Sequence, residues 1–186
     1  MYYALILPLD GDSYLKGTFM LNWTLSRFLF LLPIATALVF PVQAEPTTPE
    51  LVCKVTSVHD GDSMRVRCPG DRNTTRVRMA QIDAPELDQA HGIKSRDYLR
   101  SICPVGTTAR IQQPAKDQYD RLLGKVYCDD TDVNQAMVKS GYAWVYNQYV
   151  IDKSLYALQA QARDQRLGLW ANRQALAPWK FRQRAK

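Results

Sequence analysis

Residues 51–70 read LVCKVTSVHDGDSMRVRCPG, and the fold turns on how this stretch pairs with itself. Asp60-Gly61 stands between two runs in which apolar and polar residues alternate, the sequence signal of a β-hairpin. Pairing about that turn puts Leu51, Cys53 and Val55 on one face with Met64, Val66 and Cys68. Lys54 and Thr56 then lie on the opposite face against Arg65 and Arg67. One apolar and one basic face are what a half-buried antiparallel sheet requires. The same register sets Cys53 opposite Cys68, at a separation a disulfide can bridge. A slip of one residue would undo that pairing and leave both thiols as plain core residues.

Beyond the hairpin, Asn73 leads into a third strand, TTRVRMAQI, which ends at Asp83-Ala84-Pro85-Glu86. Residues 93–102 carry Tyr98, Leu99 and Ile102 on one helical stripe, closed by Pro104 and Gly106. Residues 108–112 and 123–128 read as two more strands. A helix over 133–140, with Val133, Ala136 and Met137 inward, stops at Gly141. A last helix runs over 154–166 and stops at Gly168. Five short strands with about three helices predict an α+β, mainly β chain folded as a five-stranded barrel of the OB type. Residues 171–186 carry Arg173, Lys180, Arg182, Arg184 and Lys186 and read as a loose basic tail.

The chain has 186 residues and is 46% apolar, enough for one domain with a real core. Lys and Arg outnumber Asp and Glu by 24 to 18, a formal charge of +6. A basic surplus steers polyanions, but it says nothing of chemistry. The run FLFLLPIATALVF over 28–40 is uncharged and thirteen residues long, short of the roughly 20 that a membrane span needs. Followed by Val42-Gln43-Ala44, it reads as a signal-peptide core with a small-residue cleavage site. Asp10 and Asp12 cancel Lys16 and Arg27, so Met20 is the better start, with cleavage after Ala44. The expected organisation is an export segment over 1–44, a polar linker over 45–50, one domain over 51–170 and the tail. The protein is then periplasmic or extracellular, with no stable membrane association after cleavage, and monomeric. Four cysteines, Cys53, Cys68, Cys103 and Cys128, include no CxxC pair, which argues against zinc. Behind an export signal they point to disulfides. Of the three connectivities, the hairpin register favours Cys53 with Cys68, leaving Cys103 with Cys128.

Three acids stand out. Asp62 follows the hairpin turn and Asp83 ends the third strand, so barrel closure can bring two hard oxygen ligands to one divalent cation. Pro85 holds Ala84 extended, which swings Glu86 toward the same place. Arg78 and Arg121 supply the complementary charge, suited to a pentacoordinate phosphorus that gathers negative charge. Each signal alone is ordinary: Asp10-Gly11-Asp12-Ser13 repeats the hairpin tetrapeptide inside the export segment.

Together they are specific. HDGDSMRV (59–66), RMAQIDAPE (78–86), DQYDRLLGKV (117–126), VNQAMVKSGYAWVY (133–146) and RLGLW (166–170) occur in the order and spacing of the staphylococcal nuclease-like domain. The chain resembles that family over about 51–170. The resemblance implies an OB-fold barrel and a Ca²⁺-dependent nuclease cutting DNA and RNA. On that likeness Asp62, Asp83 and the Ala84 carbonyl ligate the metal, and Glu86 is the general base. Arg78 and Arg121 would grip the scissile phosphate, with Tyr119 and Tyr149 beside the nucleotide. Ala84 replaces the founding enzyme's Thr, which a carbonyl ligand tolerates. Asp120 stands where Gly is usual, so it either holds Arg121 or misplaces it. The cysteines have no counterpart in the founding enzyme.

The rival reading is a non-catalytic OB module that binds single strands. Such a module needs basic and aromatic surface, with no reason to keep Asp62, Asp83 and Glu86 beside Arg78 and Arg121. A His-based site is poor, because His59 and His91 form no ligand-spaced pair.

Overall fold

Residues 49–184 are described by a computed structural model. The expected export segment, most of the linker and the last two residues lie outside the described residues. Nine residues, Glu50–Val58, form β1, so the linker's last residue already belongs to the sheet. β2 (Ser63–Arg67) returns antiparallel to it, and the register has the pairs Lys54↔Arg67 and Val55↔Val66. The Cys53–Cys68 disulfide continues that ladder, with Cα atoms 4.1 Å apart. Between Val55 and Ser57 the register shifts. This bulge turns Val58 rather than Ser57 inward and adds local twist. Cys53, Val55, Met64 and Val66 are buried as their alternation requires, whereas Leu51 is 38% exposed.

β3 (Thr75–Met79) pairs with β2; β5 (Thr108–Lys116) pairs with β1, and β6 (Leu122–Cys128) with β5. The ring closes where β3 meets β6 in parallel, Val77↔Leu122 through Met79↔Gly124. The five strands therefore make a closed barrel, mainly β and of the OB type, and closure leaves no long free edge. Short elements complete the mouth: β4 (Ile82–Asp83) pairs with β8 (Trp144–Val145). β7 (Thr131–Asp132) pairs with the end of β6.

Helix α1 (Gly92–Ile102) buries Leu99 with Tyr98 and Ile102 packed against the core. Cys103 just past it joins Cys128 of β6, Cα atoms 5.4 Å apart. α2 (Val133–Lys139) is capped by the Asp132 carboxylate, which accepts from the Gln135 amide at 3.1 Å. α3 (Ser154–Asp164) packs on it, burying Leu155 in the main core and Ala162 against Leu169 and Trp170. Over 171–184, the described part of the expected tail, a loose chain is not what forms. Residues 178–184 make a fourth helix, α4 (Pro178–Arg184), opened by a proline at its first position. Trp179 anchors it, stacked on Tyr146 with ring centres 5.5 Å apart and edge-on to Trp144 at 5.7 Å. Among the described residues no helix is long and apolar enough to cross a membrane.

Candidate active site

Gly61 decides where Asp62 sits. A Cβ there would fall on the Ser95 hydroxyl of α1 and lie 2.7 Å from the Ala84 side chain. Only glycine lets the hairpin turn press against the loop after β4. The end of β3 holds the turn as well: the Met79 amide donates to the Asp62 carbonyl at 2.9 Å. The Ala84 amide donates to Asp62 Oδ2 at 2.6 Å. Asp62 is 6% exposed and Asp83 1% exposed, two carboxylates buried side by side at the barrel mouth.

Arg78 of β3 bridges them. Its Nη1 lies 3.0 Å from Asp62 Oδ2, and its Nη2 donates to Asp83 Oδ1 at 2.8 Å. Nη1 also donates to the carbonyls of Met79 and Ile82, both at 3.0 Å, so the arginine organises the turn between β3 and β4 as well. Burial pushes the Asp62 carboxyl well above its ordinary range, against the pull of Arg78. Burial also raises Asp83, against the pull of Arg182 and Arg78. Two desolvated acids held this way favour further positive charge.

Glu86 stands at the rim. Its amide donates to Gln89 Oε1 at 3.3 Å, and Gly92 leaves room for its carbonyl, which a Cβ would overlap. The carboxylate meets Arg182 of α4, whose Nη1 donates to Oε1 at 2.7 Å. The same guanidinium donates to both oxygens of Asp83, at 3.3 and 2.9 Å. Asp62, Arg78, Asp83, Ala84 and Glu86, singled out in the sequence, thus converge, and Arg182 joins them from the segment read as a tail. Burial opposes the Arg182 charge, but the bonds to Asp83 and Glu86 outweigh it and raise its pKa.

Arg121 stands just ahead of β6, whose parallel pairing sets Leu123 beside Arg78. Its partner is Asp117, not Asp120: Nε donates to Asp117 Oδ2 at 2.7 Å and the Arg121 amide to Oδ1 at 3.0 Å. Burial alone would raise Asp117, yet bonds from Arg121 and Tyr119 hold its carboxyl below the ordinary range. Asp120 turns away, 2.6 Å from Lys116 Nζ with its side chain 77% exposed. Its φ of 56° lies in the left-handed region, which is why Gly suits this position and Asp is tolerated. Tyr119 is exposed, 5.3 Å from the Arg121 guanidinium. Tyr149 is exposed too, edge-on to Tyr146 at 5.0 Å.

The donor set of this cluster is all oxygen: two aspartates with the Ala84 backbone following. That chemistry suits a hard divalent cation, and burial of the pair supplies the reason for one. Among the described residues no group of three or more His, Cys, Asp or Glu side chains forms a cage, so a cation here would depend on backbone, water and substrate oxygens for the rest of its shell.

Comparison with known proteins points the same way. The family model described as staphylococcal nuclease homologue matches residues 76–172. An uncharacterized endonuclease of Escherichia coli O157:H7 is 42% identical over 132 residues, covering 70% of this chain and 84% of its own. A micrococcal nuclease of Shigella flexneri is 35% identical over 87% of this chain and 97% of its own. An uncharacterized endonuclease of Haemophilus influenzae is 34% identical over 80% of this chain and 83% of its own.

Proposed function

The chain belongs to the family of staphylococcal nuclease homologues, and from that membership we propose that it is an exported, calcium-dependent nuclease hydrolysing the phosphodiester bonds of DNA and RNA. One observation carries the reading: two buried aspartates, Asp62 and Asp83, share the Arg78 guanidinium at the barrel mouth, and a third acid, Glu86, stands at the rim on Arg182. A binding module would have no use for buried acids beside the polyanion it holds.

In this reading Asp62, Asp83 and the Ala84 carbonyl hold Ca²⁺, which when bound neutralises phosphate charge and orients the scissile group. Glu86, its side chain 37% exposed, reaches water directly and takes the proton of the attacking molecule. Arg78 and Arg121 donate to the phosphate oxygens as negative charge builds, and Arg121 also assists the leaving group. Tyr119 and Tyr149 offer flat faces to the nucleotide beside the cleaved bond. Two disulfides among the described residues suit an oxidising compartment such as periplasm or exterior.

The test is hydrolysis by protein starting at Glu45, with DNA and RNA in Ca²⁺ and then in excess chelator, beside Glu86→Gln. Cleavage should require Ca²⁺ and fall by about 10²-fold or more in the variant. Tight binding of either polymer without cleavage would return the chain to the non-catalytic OB module.

A further inference from the structure

We propose that Arg182, held by Asp83 and Glu86, competes with the divalent cation for Asp83, so that loading the site requires its guanidinium to withdraw. The inference rests on the cation reading given above and adds a residue from α4 to it. The geometry is specific. Arg182 Nη2 lies 2.9 Å from Asp83 Oδ2, while Nη1 lies 3.3 Å from Oδ1 and 2.7 Å from Glu86 Oε1. Arg78 Nη2 occupies Asp83 Oδ1 from the other side at 2.8 Å. Both Asp83 oxygens therefore face guanidinium protons. A calcium ion sits about 2.3–2.6 Å from its carboxylate oxygens. Placed on Asp83 Oδ2, it would press its charge against Arg182 beside a buried carboxylate, where like charges repel more strongly than in open water.

Of the two arginines, Arg182 is the one able to leave. The Arg78 side chain is 13% exposed and its guanidinium also holds two backbone carbonyls. The Arg182 side chain is 41% exposed and bonds only to the two acids among the described contacts. α4 does not depend on those bonds alone. Trp179 stacks on Tyr146, and Gln89 Nε2 donates to the Leu176 carbonyl at 2.7 Å. The guanidinium can turn into solvent while the helix stays docked. With Arg182 in place the site is closed to cation, and apparent affinity falls in proportion to the fraction of molecules in which it has withdrawn.

Calorimetric titration with Ca²⁺ tests this on the purified protein and on Arg182→Gln, Arg182→Lys and Asp83→Asn, with circular dichroism to confirm folding. Arg182→Gln should bind Ca²⁺ about tenfold tighter than the parent. Arg182→Lys should fall between them, because the ammonium keeps the charge and loses the two-pronged contact. Asp83→Asn should lose binding. A residue that merely braced the loop would give weaker binding when replaced, never tighter. Equal or weaker binding in Arg182→Gln and Arg182→Lys, with binding lost in Asp83→Asn, overturns the competition and leaves the cation site standing. Absence of Ca²⁺ binding in every protein overturns the cation reading and this inference with it.

Discussion

Arg121 has two acidic neighbours in sequence, and their chemistry separates them. Asp117 accepts from both the amide and the Nε of Arg121, a two-point hold that fixes where the guanidinium begins. Asp120 reaches Lys116 in solvent instead, where an ion pair contributes little. Replacing Asp117 by Asn should lower kcat/KM about tenfold by loosening Arg121, whereas Asp120→Gly should change it within about twofold because the lost charge is screened. Steady-state hydrolysis of a defined oligonucleotide separates the two, and equal losses would refute the assignment. Asp117 also carries a pH signature. Its folded-state pKa is depressed, so the stability it contributes is present above its unfolded value of about 3.9 and is lost as pH falls through the folded value. Urea midpoints followed from about pH 5 downward should decline less steeply in Asp117→Asn than in the parent. The sequence alone could not separate these acids. Asp117, Asp120 and Arg121 lie within five residues, and only the left-handed turn at Asp120 decides which of them faces the arginine. The cluster of Asp62, Arg78, Asp83 and Glu86 was legible because each stands at a strand end or turn that barrel closure must bring together. Arg182 was not, since a lone arginine among exposed cations has no local signature.

The hairpin of β1 and β2 shows what a strand pattern carries and what it leaves open. Alternation about Asp60-Gly61 was enough to pair Cys53 with Cys68 and to bury Val55, Met64 and Val66. It could not announce the bulge between Val55 and Ser57, because an extra residue costs the apolar pattern nothing when Thr56 and Ser57 are both small and half-buried. Nor could it say that Leu51 would sit on the open side. α4 was hidden for a different reason. The four cations over 171–184, Arg173, Lys180, Arg182 and Arg184, drown the Pro178-Trp179 and Phe181 signal in any average over the segment, although two aromatics next to a helix-opening proline are poor material for a tail. Where the hairpin meets the loop after β4, Gly61 is the joint. Gly61→Ala would drive a methyl into Ser95 and Ala84, an overpacking that costs about 1–3 kcal/mol. Because the strain falls beside Asp62, Ca²⁺ affinity should fall more than the urea midpoint implies, and titration calorimetry beside equilibrium unfolding measures both. A stability loss with Ca²⁺ affinity intact would show that Asp62 is placed by something other than this contact.

At the scale of the whole chain, the two disulfides lie in different places and act on different loops. Cys53–Cys68 closes a separation of 15 residues within one hairpin, while Cys103–Cys128 closes 25 and ties the end of α1 to β6. Chain-entropy arguments assign them about 3 and about 3.5 kcal/mol respectively. The two loops do not overlap in sequence, so their effects should be close to additive. A domain of this size is stable by about 5–15 kcal/mol in total, so losing both bridges removes a large part of the margin. Reduction with both thiol pairs blocked should therefore lower the unfolding free energy by several kcal/mol, read as a shift of the urea midpoint at unchanged slope. The slope matters: if reduction changed it, the bridges would be acting through the compactness of the unfolded chain rather than its entropy alone. A midpoint that does not move would mean that the barrel, closed by β3 against β6, holds unaided, and the cysteines would then say nothing about the compartment in which the protein works.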